Sequence, residues 1–125
     1  MHILLWVVQV LLACAFGMAG VMKSTQPIDA LVQAGMAWAA QMPVAMVRFI
    51  GISELLGAIG LILPAATKIK PSLTPLAALG LLTIMILAMA FHVSRGEVQA
   101  LPINIVLGGL AAFVAWGRTK KAPIR

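Results

Sequence analysis

The sequence predicts an all-α integral membrane four-helix bundle with an additional outer-side amphipathic helix between the first and second spans. Three observations carry that reading. Of the 125 residues, 62% are hydrophobic and 10% charged, with a mean hydropathy of +1.08; ordinary globular chains hold roughly 45–50% apolar and about 25% charged residues. Four apolar runs approach the length of about 20 residues that crosses a bilayer as a helix. The basic residues gather between those runs or after the last one. Such a chain has too little polar surface for water, and an open sheet is excluded because lipid leaves its edge groups unsatisfied.

The first run, Ile3 to Met22, reads "ILLWVVQVLLACAFGMAGVM" and ends at Lys23. "LLAC" weakly resembles a lipoprotein cleavage box, but no Lys or Arg precedes the run, so it is read as a retained span. Cys14 is the only cysteine, which rules out an intramolecular disulfide, a CxxC redox pair and a thiolate zinc site. Inside an apolar run it is read as a small packing residue.

After this span, "STQPIDALVQAGMAWAAQM" places Ile28, Leu31, Gly35, Trp38 and Met42 at spacings of three and four, which is one face of a helix. The segment, about 26–42, is read as an amphipathic helix on the outer surface, acting as a lid over the bundle. Ser24 or Thr25 is expected to cap it, Pro27 suits its first turn, and Asp29 complements the dipole. Trp38 suits an interfacial anchor.

The second run is Pro43 to Leu63, expected to stop at Pro64. The third is Leu73 to Val93, introduced by "KIKPSLTP", and the fourth is Leu101 to about residue 117. Pro102 lies in the first turn of the fourth, where a missing N–H does no harm. Residues 1–125 then form one membrane domain.

Four spans put both termini and the loop Pro64 to Ser72 on one side, with Lys68, Lys70, Arg118, Lys120, Lys121 and Arg125. Lys23, Arg48 and Arg95 fall on or toward the other, beside Asp29 and Glu97. The positive-inside rule therefore predicts a multi-pass protein of the cell membrane with both termini cytoplasmic. A net charge of +6 raises nucleic acid as a partner. No aromatic-basic stripe appears, however, and the tail "GRTKKAPIR" suits orientation or anionic lipid. No nucleic-acid partner is expected.

The second run holds the unusual residues, in "RFIGISELLGAIGLILP". On a helical wheel Ser53, Gly57 and Gly60 fall within about 60° of each other, and small residues so repeated mark a helix-packing face. Ile52, Leu55, Leu56, Ile59 and Leu63 occupy the other side and suit lipid. Glu54 lies about 16 Å along the axis from Pro43 at about 1.5 Å per residue, near the middle of a hydrocarbon layer about 30 Å thick. Arg48 is shallower, leans toward the Leu/Ile side, and is expected to snorkel outward.

An acid at mid-membrane costs about 2.5–3.5 kcal/mol on insertion scales, which makes Glu54 a functional candidate. It is a proton carrier, a ligand contact or an ion-pair member; the plainer alternative is a hydrogen bond between helices. Lys23 suits an interfacial anchor, His92 an interface histidine and Asn104 an inward-facing hydrogen bond, with ligand contact as the second reading for each. Met85, Met89 and His92 share a stripe that soft-metal chemistry could use, but methionine ordinarily fills packing gaps, and no metal is expected. There is no His-x-x-x-His pair, nucleophile elbow or phosphate-binding glycine loop, so catalytic residues stay unassigned.

"FGMAGVMK", "RFIGISELLGAIGLILP", "LTPLAALGLLTIMILAMAFH" and "LPINIVLGGLAAFVAWGR", in this order, resemble the DoxX-like family of small four-helix membrane proteins. The resemblance spans nearly the entire chain and points to Lys23, Arg48, Gly51, Glu54, His92 and Asn104. Some relatives are associated with thiosulfate-to-quinone electron transfer or with membrane oxidoreductase assemblies. This chain has no cysteine pair, haem-ligand pair or iron–sulfur motif, so no intrinsic cofactor is expected. The resemblance then implies a quinone-like ligand among the spans, with a partner redox protein supplying electrons. Glu54 would take protons or a polar headgroup, and Arg48, Lys23, His92 and Asn104 would orient it. Two other readings stay open: a structural or assembly protein in which Glu54 and Arg48 join helices, and a small proton-coupled transporter acting as a homodimer.

Overall fold

The computed structural model describes residues 1–98 and 101–123. Four long helices, α1 (His2–Thr25), α3 (Val44–Thr67), α4 (Leu73–Ser94) and α5 (Leu101–Trp116), run up and down, and α5 continues into a π-helical turn over Gly117–Lys121. Each is long and apolar enough to cross a membrane. At 24 residues, α1 and α3 reach about 36 Å at about 1.5 Å per residue. Between them lie the short α2 (Ile28–Gln33) and a 3₁₀ helix over Ala37–Gln41. The protein is an all-α membrane bundle. The end carrying α2 and the 3₁₀ helix is here the lid end; the other, with the α3–α4 loop, is the terminal end.

Side chains are distributed for lipid rather than water. Ile3, Met18, Phe49, Leu56 and Leu87 are exposed, while Gln9, Glu54, Thr74, His92, Asn104 and Arg118 are buried. In a bilayer the apolar outer face costs nothing, and polar groups gain by finding partners inside. The central core joins Leu12 and Phe16 of α1, Leu61 of α3, Leu81 and Met85 of α4, and Val114 of α5.

The second span does not stop at Pro64: α3 continues to Thr67 and ends at Lys68 in the left-handed region (φ 60°). Pro64 has no amide to give the carbonyl of Gly60 four residues back. The Thr74 hydroxyl of α4 donates to that carbonyl at 2.9 Å. One residue on, the Leu61 carbonyl accepts from the Gln9 amide of α1 at 2.6 Å. Two neighbouring helices thus supply the donors that keep the helix going, as buried backbone in lipid requires. Gly60 permits the approach, since a Cβ there would lie 2.7 Å from the Ala77 Cβ.

The lid is not one helix. α2 stops after Gln33, and Gly35 takes φ 102°. Gly35 N–H donates to Val32 O at 3.0 Å and Met36 N–H to Leu31 O at 2.9 Å, a left-handed glycine cap with its usual apolar contact, here Leu31 with Met36. The helical spacing survives across the break because Leu31, Ala39 and Val47 form a small core with Ile28, Trp38 and Met42 around it. Gly35 itself is exposed. Ser24 and Thr25 do not cap α2 either. They lie in the last turn of α1 and donate back to Val21 O at 3.2 and 2.6 Å, and Pro27 occupies the cap position.

Candidate functional site

Two glycines bring α1 and α3 together near the lid end. A Cβ on Gly20 would lie 2.7 Å from the Gly51 carbonyl oxygen, and one on Gly51 would lie 2.7 Å from the Ser24 amide and 2.8 Å from the Lys23 Cβ. This close approach lets Lys23, in the last turn of α1, turn inward. Its Nζ donates to Glu54 Oε1 at 2.7 Å, with side-chain exposures of 13% and 2%. Lys23 is therefore not a free interfacial anchor, and Glu54 is a member of a buried ion pair.

The lid closes over the pair. Lys23 Nζ lies 5.3 Å from the centroid of the Trp38 ring, a cation–π contact. The edge of Trp38 meets His92 at 6.3 Å between centroids, with the rings 80° apart. Trp38 thus packs on Lys23 rather than standing alone at an interface. His92 Nδ1 lies 3.1 Å from Glu97 Oε1, and Arg95 Nε donates to the same oxygen at 2.8 Å. The Arg95 hydrogen bond, followed by that of His92, holds the Glu97 carboxyl below its ordinary value. Arg95 also donates to Gln41 of the 3₁₀ helix, so the lid is latched to the end of α4.

Arg48 is half-buried and reaches toward the lid end, to the backbone of α1. Its Nη1 donates to the carbonyls of Lys23 and Gln26 at 2.9 and 2.6 Å, closing the C-terminus of α1, where unpaired carbonyls carry partial negative charge. It reaches the backbone of Lys23, not Glu54. Asn104 is buried and its Nδ2 has no hydrogen-bond partner among the described residues. A Cβ on Gly108 would lie 3.3 Å from the Met85 Cβ, so Asn104, one turn back along α5, is level with Met89 on antiparallel α4. Met85 belongs to the central core while His92 turns to Glu97, which divides the proposed sulfur–imidazole stripe.

The small face of α3 also divides. Gly51 meets α1, whereas Gly57 and Gly60 meet Leu81 and Ala77 of α4. Ser53 is half-buried and lines an apolar groove of about 630 Å³ on the α3–α4 seam, which ends at Pro64 and Leu73.

At the terminal end, Gln9 and Arg118 form a second polar cluster. Gln9 was legible as a lone amide inside the first span. Arg118, grouped with the tail by charge alone, is only 3% exposed; the signal was its position within one turn of apolar "FVAWG".

A profile of the DoxX-like family matches residues 7–114, which takes in α3 and α4, most of α1 and α5, the lid and both residues of the Lys23–Glu54 pair. Searches of curated proteins and of solved structures gave no match. The buried charges on α1 and α3 thus lie within the part of the chain that the family profile describes, and the chain belongs to the DoxX-like family.

Proposed function

We propose that the protein is an accessory subunit of a membrane oxidoreductase system, holding the polar head of a small quinone-like molecule beneath its lid. The observation that carries the reading is the Lys23–Glu54 pair under Trp38. A quinone needs a donor for its carbonyl oxygens, an acid or base for its protons and an aromatic surface for its ring. Lys23, Glu54 and Trp38 supply these in turn. The apolar α3–α4 groove reaches Ser53, next to Glu54 in sequence, and suits an apolar tail lying against lipid. The pair is closed, so binding requires the lid to lift and the ligand to replace the Lys23–Glu54 contact. A partner redox protein supplies the electrons. In this reading the terminal end, with exposed Lys68, Lys70, Lys120 and Lys121, faces the cytoplasm of a cell-membrane protein.

Titration of a short-chain benzoquinone, followed by tryptophan quenching at several pH values, tests the reading. The wild type is expected to bind with a pH-dependent affinity, and Glu54→Gln to bind more weakly and without that dependence. Equal affinities at every pH would remove Glu54 from the site.

A second reading, a structural or assembly protein, is favoured by one observation: Lys23 and Glu54 already satisfy each other, and Arg48 fastens the adjoining helix end. Under that reading Glu54→Gln lowers the unfolding temperature while no small molecule co-purifies with the wild type.

A further inference from the structure

Among the described residues, Arg118 is a buried cation without an anion. Its Nε donates to Gln9 Oε1 at 2.7 Å and its Nη1 to Ala122 O at 2.9 Å, with His2 Nδ1 also 2.9 Å from Nη1. Its guanidinium carbon lies 5.6 Å from the Trp6 centroid. None of these partners carries a negative charge. Nη2 is buried and has no partner among the described residues. The sequence contains three acidic residues, Asp29, Glu54 and Glu97; none belongs to the terminal end. A buried charge left unpaired is costly.

Arg118 also lines a pocket of about 300 Å³ with Ser72, Thr119 and three prolines, Pro71, Pro75 and Pro123. Ser72 stands at the N-terminus of α4, and its hydroxyl makes no capping bond, so it is free to donate. The helix dipole there favours negative charge. Exposed Lys68, Lys70, Lys120 and Lys121 at the same end add a positive field. Three prolines, the Ser72 hydroxyl and a guanidinium suit a compact, strongly accepting oxyanion, the Thr119 hydroxyl being engaged with Ala115 O, and the planar fork of arginine matches phosphate geometry.

We propose that this terminal-end pocket binds a phosphate group through Arg118 and Ser72. The phosphate belongs either to an anionic lipid headgroup or to a free phosphate ion. Occupancy would complete the hydrogen bonding of Arg118 and tie the α3–α4 loop to the end of α5. The site lies at the opposite end from the Lys23–Glu54 pair and is independent of its role.

Trp6, beside Arg118, reports on it. In a Trp38→Phe/Trp116→Phe protein held in neutral detergent, Trp6 fluorescence is followed while phosphatidylglycerol, phosphatidylcholine or inorganic phosphate is added at constant ionic strength. A saturable change with phosphatidylglycerol alone supports a lipid-borne phosphate, and one with inorganic phosphate supports the free ion. Arg118→Gln is expected to weaken the response by about tenfold or more, the scale of a charge-assisted hydrogen bond. Because that variant also disturbs Gln9, a second one, Ser72→Phe, fills the pocket from an exposed position and leaves the Arg118 bonds in place; it should abolish saturation. A response to none of the additives, or a response equal in wild type and Ser72→Phe, overturns the proposal.

Discussion

Thr74 on α4 donates its hydroxyl to the Gly60 carbonyl on α3 at 2.9 Å, and that carbonyl is the one Pro64 leaves without an amide. A residue that sequence rules treat as a stop is thereby carried inside a 24-residue helix.

Thr74→Val keeps the shape of the side chain and removes the donor. It is expected to lower stability by about 1 kcal/mol, the usual net worth of such a bond. In a Pro64→Ala background the Gly60 carbonyl regains its amide, so the same substitution should cost much less. Thermal unfolding of the four proteins in detergent measures this coupling; additive effects would contradict the account.

Lys23→Met leaves Glu54 buried and alone, at an expected cost of about 3–5 kcal/mol. Lys23→Met combined with Glu54→Leu removes both charges and should recover most of that loss. Denaturation curves of the single and double variants decide it, and a double variant as unstable as Lys23→Met would count against the ion pair.

Gly51→Ala drives a methyl into the backbone of α1, 2.7 Å from the Ser24 amide, and should cost about 1–3 kcal/mol, as overpacking does. Gly109→Ala meets nothing within 4 Å. It should leave stability unchanged or raise it by up to about 1 kcal/mol through helix propensity. The unfolding temperature should therefore fall for Gly51→Ala and not for Gly109→Ala.

Glu97 has a carboxyl held below its ordinary value of 4.5. A depressed folded-state value means that its stabilising contribution is complete above the ordinary range and is lost as pH falls through the lower value. Acidification below about pH 4 should therefore loosen Arg95 and His92, which hold Gln41 and Trp38 of the lid. In a Trp6→Phe/Trp116→Phe protein, Trp38 emission should shift at that pH, and Glu97→Gln should show the shifted signal already at neutral pH.

Span number and the inward placement of Glu54 were legible because each rests on a local rule: apolar run length and the cost of a charge in lipid. The end of the second span was not, since the donor that carries α3 past Pro64 comes from another helix. The partners were not. Lys23 and Glu54 are 31 residues apart, and only the Gly20–Gly51 contact, which no wheel of a single helix reveals, brings them within reach. The partners of Arg48 were hidden for the same reason: its wheel position is lipid-ward, and the carbonyls it closes belong to another helix. The break in the lid was legible in principle, since Gly35 followed by Met36 is a helix-ending pattern; the periodicity through Trp38 concealed it.

The pairing of charges has an electrical consequence. Lys23, Arg48 and Arg95 at the lid end are balanced by Asp29, Glu54 and Glu97, so the side-chain excess of +6 belongs entirely to the other end. A membrane voltage acts with about 2.3 kcal/mol on each elementary charge per 100 mV. In the orientation proposed above the negative compartment holds the terminal end, while the lid end, whose side-chain charges cancel, crosses the bilayer during insertion with little net electrical work against it.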